Sequence, residues 1–552
     1  MCESASGRLP VWGMSLRGTG QGGTFARLRE TISVLSSSGF LRPRFLQTFG
    51  GAARKFGTTT AAGFSAAAVR TPDAPAIIDD AGTLRFGELE RSTNAIARGL
   101  RAAGIGPGDG VGLFARNHRG FVQAQMALDK IGANTLLLNT GFAAPQLAEV
   151  VEREGSKVIL FDEEFRDIVE QGAGRLERIL TWSEGDRAEA TLDTLARSHD
   201  EAPVEPPPAP GRTTILTSGT TGTPKGAQRS AKSQGLDALV GLFGRMPLRA
   251  GTRNFIVAPT FHSWGGAHLL LASLLGSTVC FNRRFDPEQT LATIDRERPT
   301  ILAVVPVMMQ RILNLGPEIL RKYDCSSLEL VCASGSALPG ELALRWMDTF
   351  GDNVYNLYGS TEVAIATIAM PDELRAVPGT AGRPPRGVTV RILDEHGKQV
   401  PDGQTGRIFV ANQNRFEGYT GGGTKEFVDG LMSSGDVGHF DEHGLLFVDG
   451  RDDDMIISGG ENVFPREVED LLADHEDVVE AAVLGVPDEE FGQRLKAFVA
   501  LREGATADEQ ALKNHVKANL ARYKVPREIL FLDALPRNPT GKILKRVLVE
   551  QG

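Results

Sequence analysis

Cysteine is scarce and unclustered. The four present, Cys2, Cys280, Cys325 and Cys332, form no CxxC pair and no Cys/His cluster, which argues against a structural zinc site and against a disulfide framework. A reducing compartment follows, and the cytoplasm is the expected location. Positive charge is also in deficit. With 60 Lys and Arg against 69 Asp and Glu, the net charge of −9 makes nucleic acid an unexpected partner, so any anion site must be local. Long apolar runs are missing as well: the best, from Ala267 to Cys280, is broken by Ser273, Gly276 and Ser277 and is shorter than the roughly 18–20 residues of a membrane span. Peripheral contact with a membrane remains compatible with these absences.

What is present is a chain of 552 residues with 41% hydrophobic and 23% charged residues, too long for one hydrophobic core and ordinary for a globular protein. The first sixty residues are rich in Arg, Ser, Gly and Thr and poor in acids. That composition resembles an organellar transit peptide, but a poorly ordered leader over residues 1–60, with Met14 as a second possible start, is the reading adopted. From Gly110 onward, short apolar runs alternate with helical patterns: VGLFA, GFVQAQMALDKIG, TLLLN, APQLAEVVEREG and KVILF. The alternation returns in NFIVAP, HLLLASLLG, STVCFN, PEQTLATIDRERP and TILAVVP. Strands spaced by helices of this length predict an α/β fold with parallel sheets.

The proline-rich stretch EAPVEPPPAPG, Glu201 to Gly211, predicts an extended connector leading to a short strand, Thr213 to Leu216. Composition changes again at GRDDDMIISGGENVFPREVE. A small α+β unit of roughly 100 residues is expected beyond it.

The strand at Thr213 runs into TSGTTGTPKGA. Its glycines expose backbone N–H groups, its hydroxyls add donors and Lys225 adds charge, a combination suited to phosphate. It is not a Walker loop, because Pro224 stands where a GK[ST] ending would need a helix start, so Lys225 is expected on a loop. On composition alone the segment also reads as a flexible linker.

TSGTTGTPKGA resembles the signature loop of the adenylate-forming enzymes, which comprise acyl-CoA synthetases, luciferases and the adenylation domains of peptide synthetases. YGSTE at Tyr358 to Glu362, SGD at Ser434 to Asp436, GRDDDMIISGGENVFPREVE at Gly450 to Glu469 and PRNPTGKILKR at Pro536 to Arg546 follow in that family's order. The resemblance covers the chain from about Ala62 to its end. It implies a large α/β adenylate-forming domain over residues 61–452 and a small mobile α+β domain over 453–552.

The resemblance also implies a chemistry and assigns roles. A carboxylic acid reacts with ATP to give acyl-AMP and pyrophosphate, and the thiol of coenzyme A then displaces AMP. Thr217, Ser218, Gly219, Thr220, Thr221, Gly222, Thr223 and Lys225 would cradle the departing phosphates. Glu362, with Thr217 nearby, would hold Mg2+, a hard cation that takes oxygen ligands. Thr361 would meet the α-phosphate and Tyr358 would stack on adenine, beside Gly359, Ser360 and the Gly335, Ser336, Ala337 segment. Asp436 and Arg451 would hold the ribose, although an SGD met in isolation is only a turn.

Lys542 would bridge the attacking carboxylate and the α-phosphate, while its neighbours Lys545 and Arg546 read as solvated surface. Asp453 would be the hinge about which the small domain turns, bringing Ser458, Gly459 and Gly460 to the pantetheine of coenzyme A. His262 would stand where the acyl pocket meets the coenzyme A tunnel, and Trp264, Gly265, Gly266 and Ala333 would shape that pocket. His262 and His268 together are discounted as metal ligands, because no carboxylates cluster near them.

Two departures from the family pattern, Ser in place of Thr before Gly435 and Asp453 in place of the usual Lys after Gly450-Arg451-Asp452, leave ATP use intact. No acid follows PTFHSW until Asp286, so a substrate without an α-amine is expected. The chain looks most similar to bacterial medium- or long-chain fatty acyl-CoA ligases. An aryl-CoA ligase, a fatty acyl-AMP ligase serving a carrier protein, and more remotely a non-catalytic nucleotide- or acyl-binding protein are the alternatives. Glycines beside Trp264 hint at a roomy acyl tunnel.

Overall fold

The structure, a computed structural model, describes residues 21–185, 190–217, 225–229, 236–413, 416–420, 422–458, 461–488, 492–539 and 541–551. Its apolar runs become strands because they pair inside sheets covered on both faces by helices, where a fully buried strand needs no alternation of polarity. Leu330–Ala333 and Ile301–Val304, buried at every position, show this most plainly.

Two mostly parallel sheets form the bulk of the molecule. The eight-stranded sheet runs in the order 364–369, 354–360, 330–333, 301–304, 253–256, 278–280, 75–79, 82–85, with antiparallel strands only at its edges. The seven-stranded sheet runs 416–419, 225–229, 213–217, 134–137, 110–114, 156–162, 177–182. Every strand and helix pattern read between Gly110 and Phe161, and between Asn254 and Val304, is present in register with these sheets. The helix Ser263–Leu275 lies between the two bodies. Trp264 and Leu275 join the core of one, while Leu269 and Ala272 join the core of the other. A third, antiparallel sheet contains 389–393, 406–411, 431–440, 427–428 and 446–451. The fourth, made from 456–458, 461–463, 478–488, 492–501 and 528–532, forms the small C-terminal unit together with the helices Pro465–Ala473 and Glu509–Asn519.

Two expectations are corrected. Residues 21–56, read as part of a poorly ordered leader, carry the helices Gln21–Ser37 and Pro43–Phe56. Phe45, Phe49, Ala52 and Phe56 recur at helical spacing, and Phe45, Ala52 and Phe56 are buried, so burial of that stripe is what orders the segment. Lys225 opens the strand Lys225–Arg229 instead of lying on a loop, because its backbone pairs antiparallel with Thr217.

Candidate active site

Strand register brings the first pair of site residues together. Asp436 and Arg451 are partners on adjacent antiparallel strands, and an Arg451 Nη donates to Asp436 Oδ1 over 3.1 Å. Tyr358, arriving from the eight-stranded sheet, donates its hydroxyl to the other oxygen, Oδ2, at 2.6 Å. Burial and the neighbouring Asp436 carboxylate push the Tyr358 phenol well above its ordinary range, so it remains a donor. Each Asp436 oxygen keeps a further lone pair for a ligand hydroxyl. The expected stacking role of Tyr358 thus acquires a second part, which is to orient Asp436.

Glu362 lies at the turn after the strand Val354–Ser360. Ser360 Oγ donates to one of its oxygens at 2.9 Å and Tyr419 Oη to the other at 2.7 Å. Burial would raise the Glu362 carboxyl, but these two hydrogen bonds and the charge of Lys425 outweigh it and hold the group below the usual carboxylate range. Tyr419 sits on the strand Phe416–Tyr419, paired to the strand of Lys225, and the Lys225 ammonium lies 5.6 Å above its ring centroid. Tyr419 therefore ties the expected phosphate lysine to the expected metal ligand. Sequence reasoning missed it, since one tyrosine in RFEGYTG carries no sign of its partners; only its place just before the glycines at 421–423 distinguishes it.

The small unit delivers Lys542. Gly541 adopts φ 84°, and a Cβ there would come 2.7 Å from Val307, so the lysine loop lies directly on the start of the helix Pro306–Leu313. On the other side Pro539 rests against Gly141 of the seven-stranded body, where an added Cβ would approach it to 2.6 Å. Within the loop Asn538 accepts from the Lys542 amide at 2.9 Å and its own amide donates to the Lys542 carbonyl at 2.9 Å. Lys542 as a residue is exposed. Crowding by protein, then the charge of Arg451, lowers its pKa, and Glu362 and Asp436 partly offset them. The lysine thus shares one electrostatic neighbourhood with Glu362, Asp436 and Arg451.

His262 occupies the N-cap of the helix Ser263–Leu275. Burial, reinforced by Lys542, lowers its pKa to about 4, which makes it neutral at physiological pH. The next residue, Ser263, accepts from Thr361 Oγ1 at 3.4 Å, so the start of this helix faces the YGSTE turn and adds its positive dipole end to the cleft.

Trp264, expected to shape the acyl pocket, is buried. Its indole N–H donates to the Val304 carbonyl at 3.1 Å, and Val304 is the register partner of Ala333. One helical turn on, His268 meets the Trp264 ring edge to face at 4.4 Å; it is 3% exposed, and its Nδ1 has no hydrogen-bond partner. Burial lowers its pKa to about 4. The glycines require a correction. A Cβ on Gly265 would stand 2.2 Å from the Pro259 carbonyl oxygen, and one on Gly266 3.0 Å from that of Thr260. Their missing side chains let the helix approach the 258–260 backbone and do not widen an acyl tunnel.

Ser218, Gly219, Thr220, Thr221, Gly222, Thr223, Gly459 and Gly460 lie outside the described residues; Thr217, Asp453 and Ser458 are described in their backbone only. Gly335, Ser336 and Ala337 follow the C-terminal end of the strand Leu330–Ala333, the end at which α/β sheets place ligands. Lys545, expected as solvated, instead pairs with Asp454 at 2.8 Å, while Asp452 pairs with Arg407 of the large body at 3.0 Å. The acids on either side of residue 453 are therefore fastened to different bodies.

The donor set fits magnesium. The Glu362 carboxylate would offer a hard oxygen ligand, and among the described residues no group of three or more His, Cys, Asp or Glu is found.

Comparison with known proteins agrees with this geometry. The profile of the AMP-binding enzyme family matches residues 64–420, and that of the AMP-binding enzyme C-terminal domain matches 467–542. The feruloyl-CoA synthase of an Amycolatopsis species is 35% identical over 486 residues, 86% of this chain and 95% of that protein. The fatty acid–[acyl-carrier-protein] ligase ScoC of Streptomyces coeruleorubidus is 32% identical over 498 residues, 86% of this chain and 93% of the relative. The crystal structure of the anthranilate CoA ligase AuaEII in complex with anthranoyl-AMP superimposes with a TM-score of 0.81 at 26% identity, covering 89% of this chain and 97% of that one. The chain belongs to the AMP-binding enzyme family and is an AMP-forming acid–thiol ligase that uses ATP, Mg2+ and coenzyme A.

Proposed function

We propose that the chain activates a ring-bearing carboxylic acid with a polar substituent, as its acyl-AMP, and transfers it to coenzyme A. The observation that carries the substrate class is His268, buried, neutral and with an unpaired ring nitrogen, beside Trp264 on the helix that opens at His262. A buried polar atom without a partner costs free energy, and a hydrogen-bonding group on the substrate removes that cost. Trp264 offers an aromatic wall. The six steps from His262 to His268 rise about 9 Å along the helix, the reach of a substituted aromatic acid whose carboxylate lies near Lys542. The relatives named for feruloyl and anthranilate substrates point the same way, and the loss of the glycine argument removes the main support for a long acyl tunnel.

In this reading Lys542 bridges the carboxylate and α-phosphate, supplying charge where it develops. Asp436, held by Tyr358 and Arg451, takes the ribose hydroxyls, and Thr361 and the start of the helix Ser263–Leu275 face the α-phosphate. Glu362 would hold Mg2+, which neutralises phosphate charge when bound. Thr217 to Lys225 serve the leaving pyrophosphate. The small domain, from residue 453, turns about Asp453 after adenylation, exchanging Lys542 for Ser458 to Gly460. Asp452 held by Arg407 and Asp454 held by Lys545 leave the joint between them.

The second reading, a medium- or long-chain fatty acid passed to coenzyme A or to a carrier protein, is favoured by the name of ScoC. Pyrophosphate release and thioester formation across a panel of benzoates, cinnamates and alkanoic acids separate the two. Preference for hydroxylated or methoxylated ring acids over matched unsubstituted ones supports our reading. Preference for dodecanoate or longer chains contradicts it.

A further inference from the structure

The N-terminal helices, Gln21–Ser37 and Pro43–Phe56, precede the family match at residue 64 and take no part in the site. Their inner face is fixed to the enzyme. Phe40 packs on Phe243 with ring centroids 5.5 Å apart, the Arg70 guanidinium lies 4.3 Å above the Phe45 ring, and the Ala250 amide donates to the Ser38 carbonyl at 2.8 Å. Other aliphatic positions on the two helices and the turn between them are left exposed. Leu28, Ile32, Leu41 and Leu46 are 54%, 50%, 37% and 50% exposed, four of the ten most exposed large hydrophobic residues among those described. Leu28 and Ile32 stand one helical turn apart, and Leu41 and Leu46 flank the sharp turn into the second helix.

The segment is also basic. The first sixty residues hold eight Arg and Lys against two acids in a chain whose net charge is −9, and one of those acids, Glu30, is paired with Arg386 at 3.3 Å. Arg29, Arg42, Arg44, Arg54 and Lys55 are exposed. Water favours neither outward aliphatic side chains nor a concentration of like charge. A bilayer surface containing anionic lipid satisfies both, taking the apolar groups among its acyl chains and the cations among its phosphates. Because the apolar residues are spread over two helices and a turn, a deformable lipid surface suits them better than one shaped pocket.

We propose that these two helices form a docking surface for anionic membranes. No helix among the described residues is long and apolar enough to cross the membrane, so the attachment is peripheral and reversible.

Co-sedimentation of the full chain with large vesicles tests this, using phosphatidylcholine alone and an equal mixture with phosphatidylglycerol. Binding to the mixed vesicles is expected to exceed binding to phosphatidylcholine at least about tenfold and to weaken as salt is raised. The combined Leu28→Ser, Ile32→Ser and Leu46→Ser variant, and separately the Arg29→Gln, Arg42→Gln and Arg44→Gln variant, should each lose most of that binding. Both should retain ligase activity on a water-soluble acid, which shows that they have folded. Absence of binding, indifference to phosphatidylglycerol, or binding undiminished in both variants overturns the proposal.

Discussion

The phosphate side and the acyl side of the cleft solve their problems with different kinds of residue. On the phosphate side Lys225, Glu362, Asp436, Arg451 and Lys542 come from separate segments and meet through strand register and domain docking, each with a named polar or charged neighbour. On the side expected to take the acyl group, Trp264 shares a core with Ala333 and meets the His268 ring, and one ring nitrogen is left unpaired. Charged chemistry restricts residue type, whereas an apolar wall restricts only shape and leaves its few polar atoms to define the ligand. Reaction class is therefore written in residue identities, and substrate class in unsatisfied contacts.

The largest test of that contrast is Glu362→Gln. Replacing the ionised oxygen should lower acid-dependent pyrophosphate release about 10²–10³-fold, the scale of losing one electrostatic stabiliser, with the loss shared equally by every acid in a panel. A loss confined to some acids would show that the two sides are not separable.

Tyr419→Phe comes next. Deleting its hydrogen bond to the Glu362 carboxylate removes a contact worth about 1.5–3 kcal/mol, so the magnesium concentration needed for half-maximal ATP binding, read by calorimetry, should rise at least about tenfold. An unchanged titration would remove Tyr419 from the metal side.

His268→Phe addresses the acyl side alone. It should reduce discrimination between hydroxylated and plain ring acids by about tenfold, one hydrogen bond's worth, leaving the KM for ATP unchanged. A parallel change in the ATP KM would place His268 in the general fold instead.

The smallest effect is in stability against pH. With a native pKa near 4 against an ordinary 6.5, His268 stays neutral in the folded chain while the unfolded chain takes up a proton. The folded state therefore loses stability as pH falls from about 6.5 toward 4. His268→Phe should show a shallower decline in melting temperature across that window, and an identical decline would mean that the ring is not the group being protonated.

Much of the fold was legible because parallel strands buried on both faces are continuous apolar runs, and VGLFA, KVILF and TILAVVP each fell where expected. The leader was misread because its composition was weighed and its periodicity was not. The four positions Phe45, Phe49, Ala52 and Phe56 announce a helix with one buried stripe, whatever the surrounding Arg and Gly imply. Within the candidate site, Glu362, Asp436, Arg451 and Lys542, singled out by type and order, lie in one electrostatic neighbourhood. Tyr419 and His268 were not legible, since a tyrosine hydroxyl bonded to a carboxylate 57 residues away and an imidazole with no partner are facts of three-dimensional placement. The glycines at 265 and 266 misled for a related reason: a missing side chain marks close approach without saying to what.

The central claim is that Lys542, carried in by the small domain, serves the first half-reaction and leaves before the second. Single-turnover measurement of Lys542→Ala on both steps tests it most directly. The account predicts that pyrophosphate release from ATP and acid falls about 10²–10³-fold, while conversion of synthetic acyl-AMP and coenzyme A to thioester proceeds at the unaltered enzyme's rate. Equal loss in both steps, or intact pyrophosphate release, contradicts it.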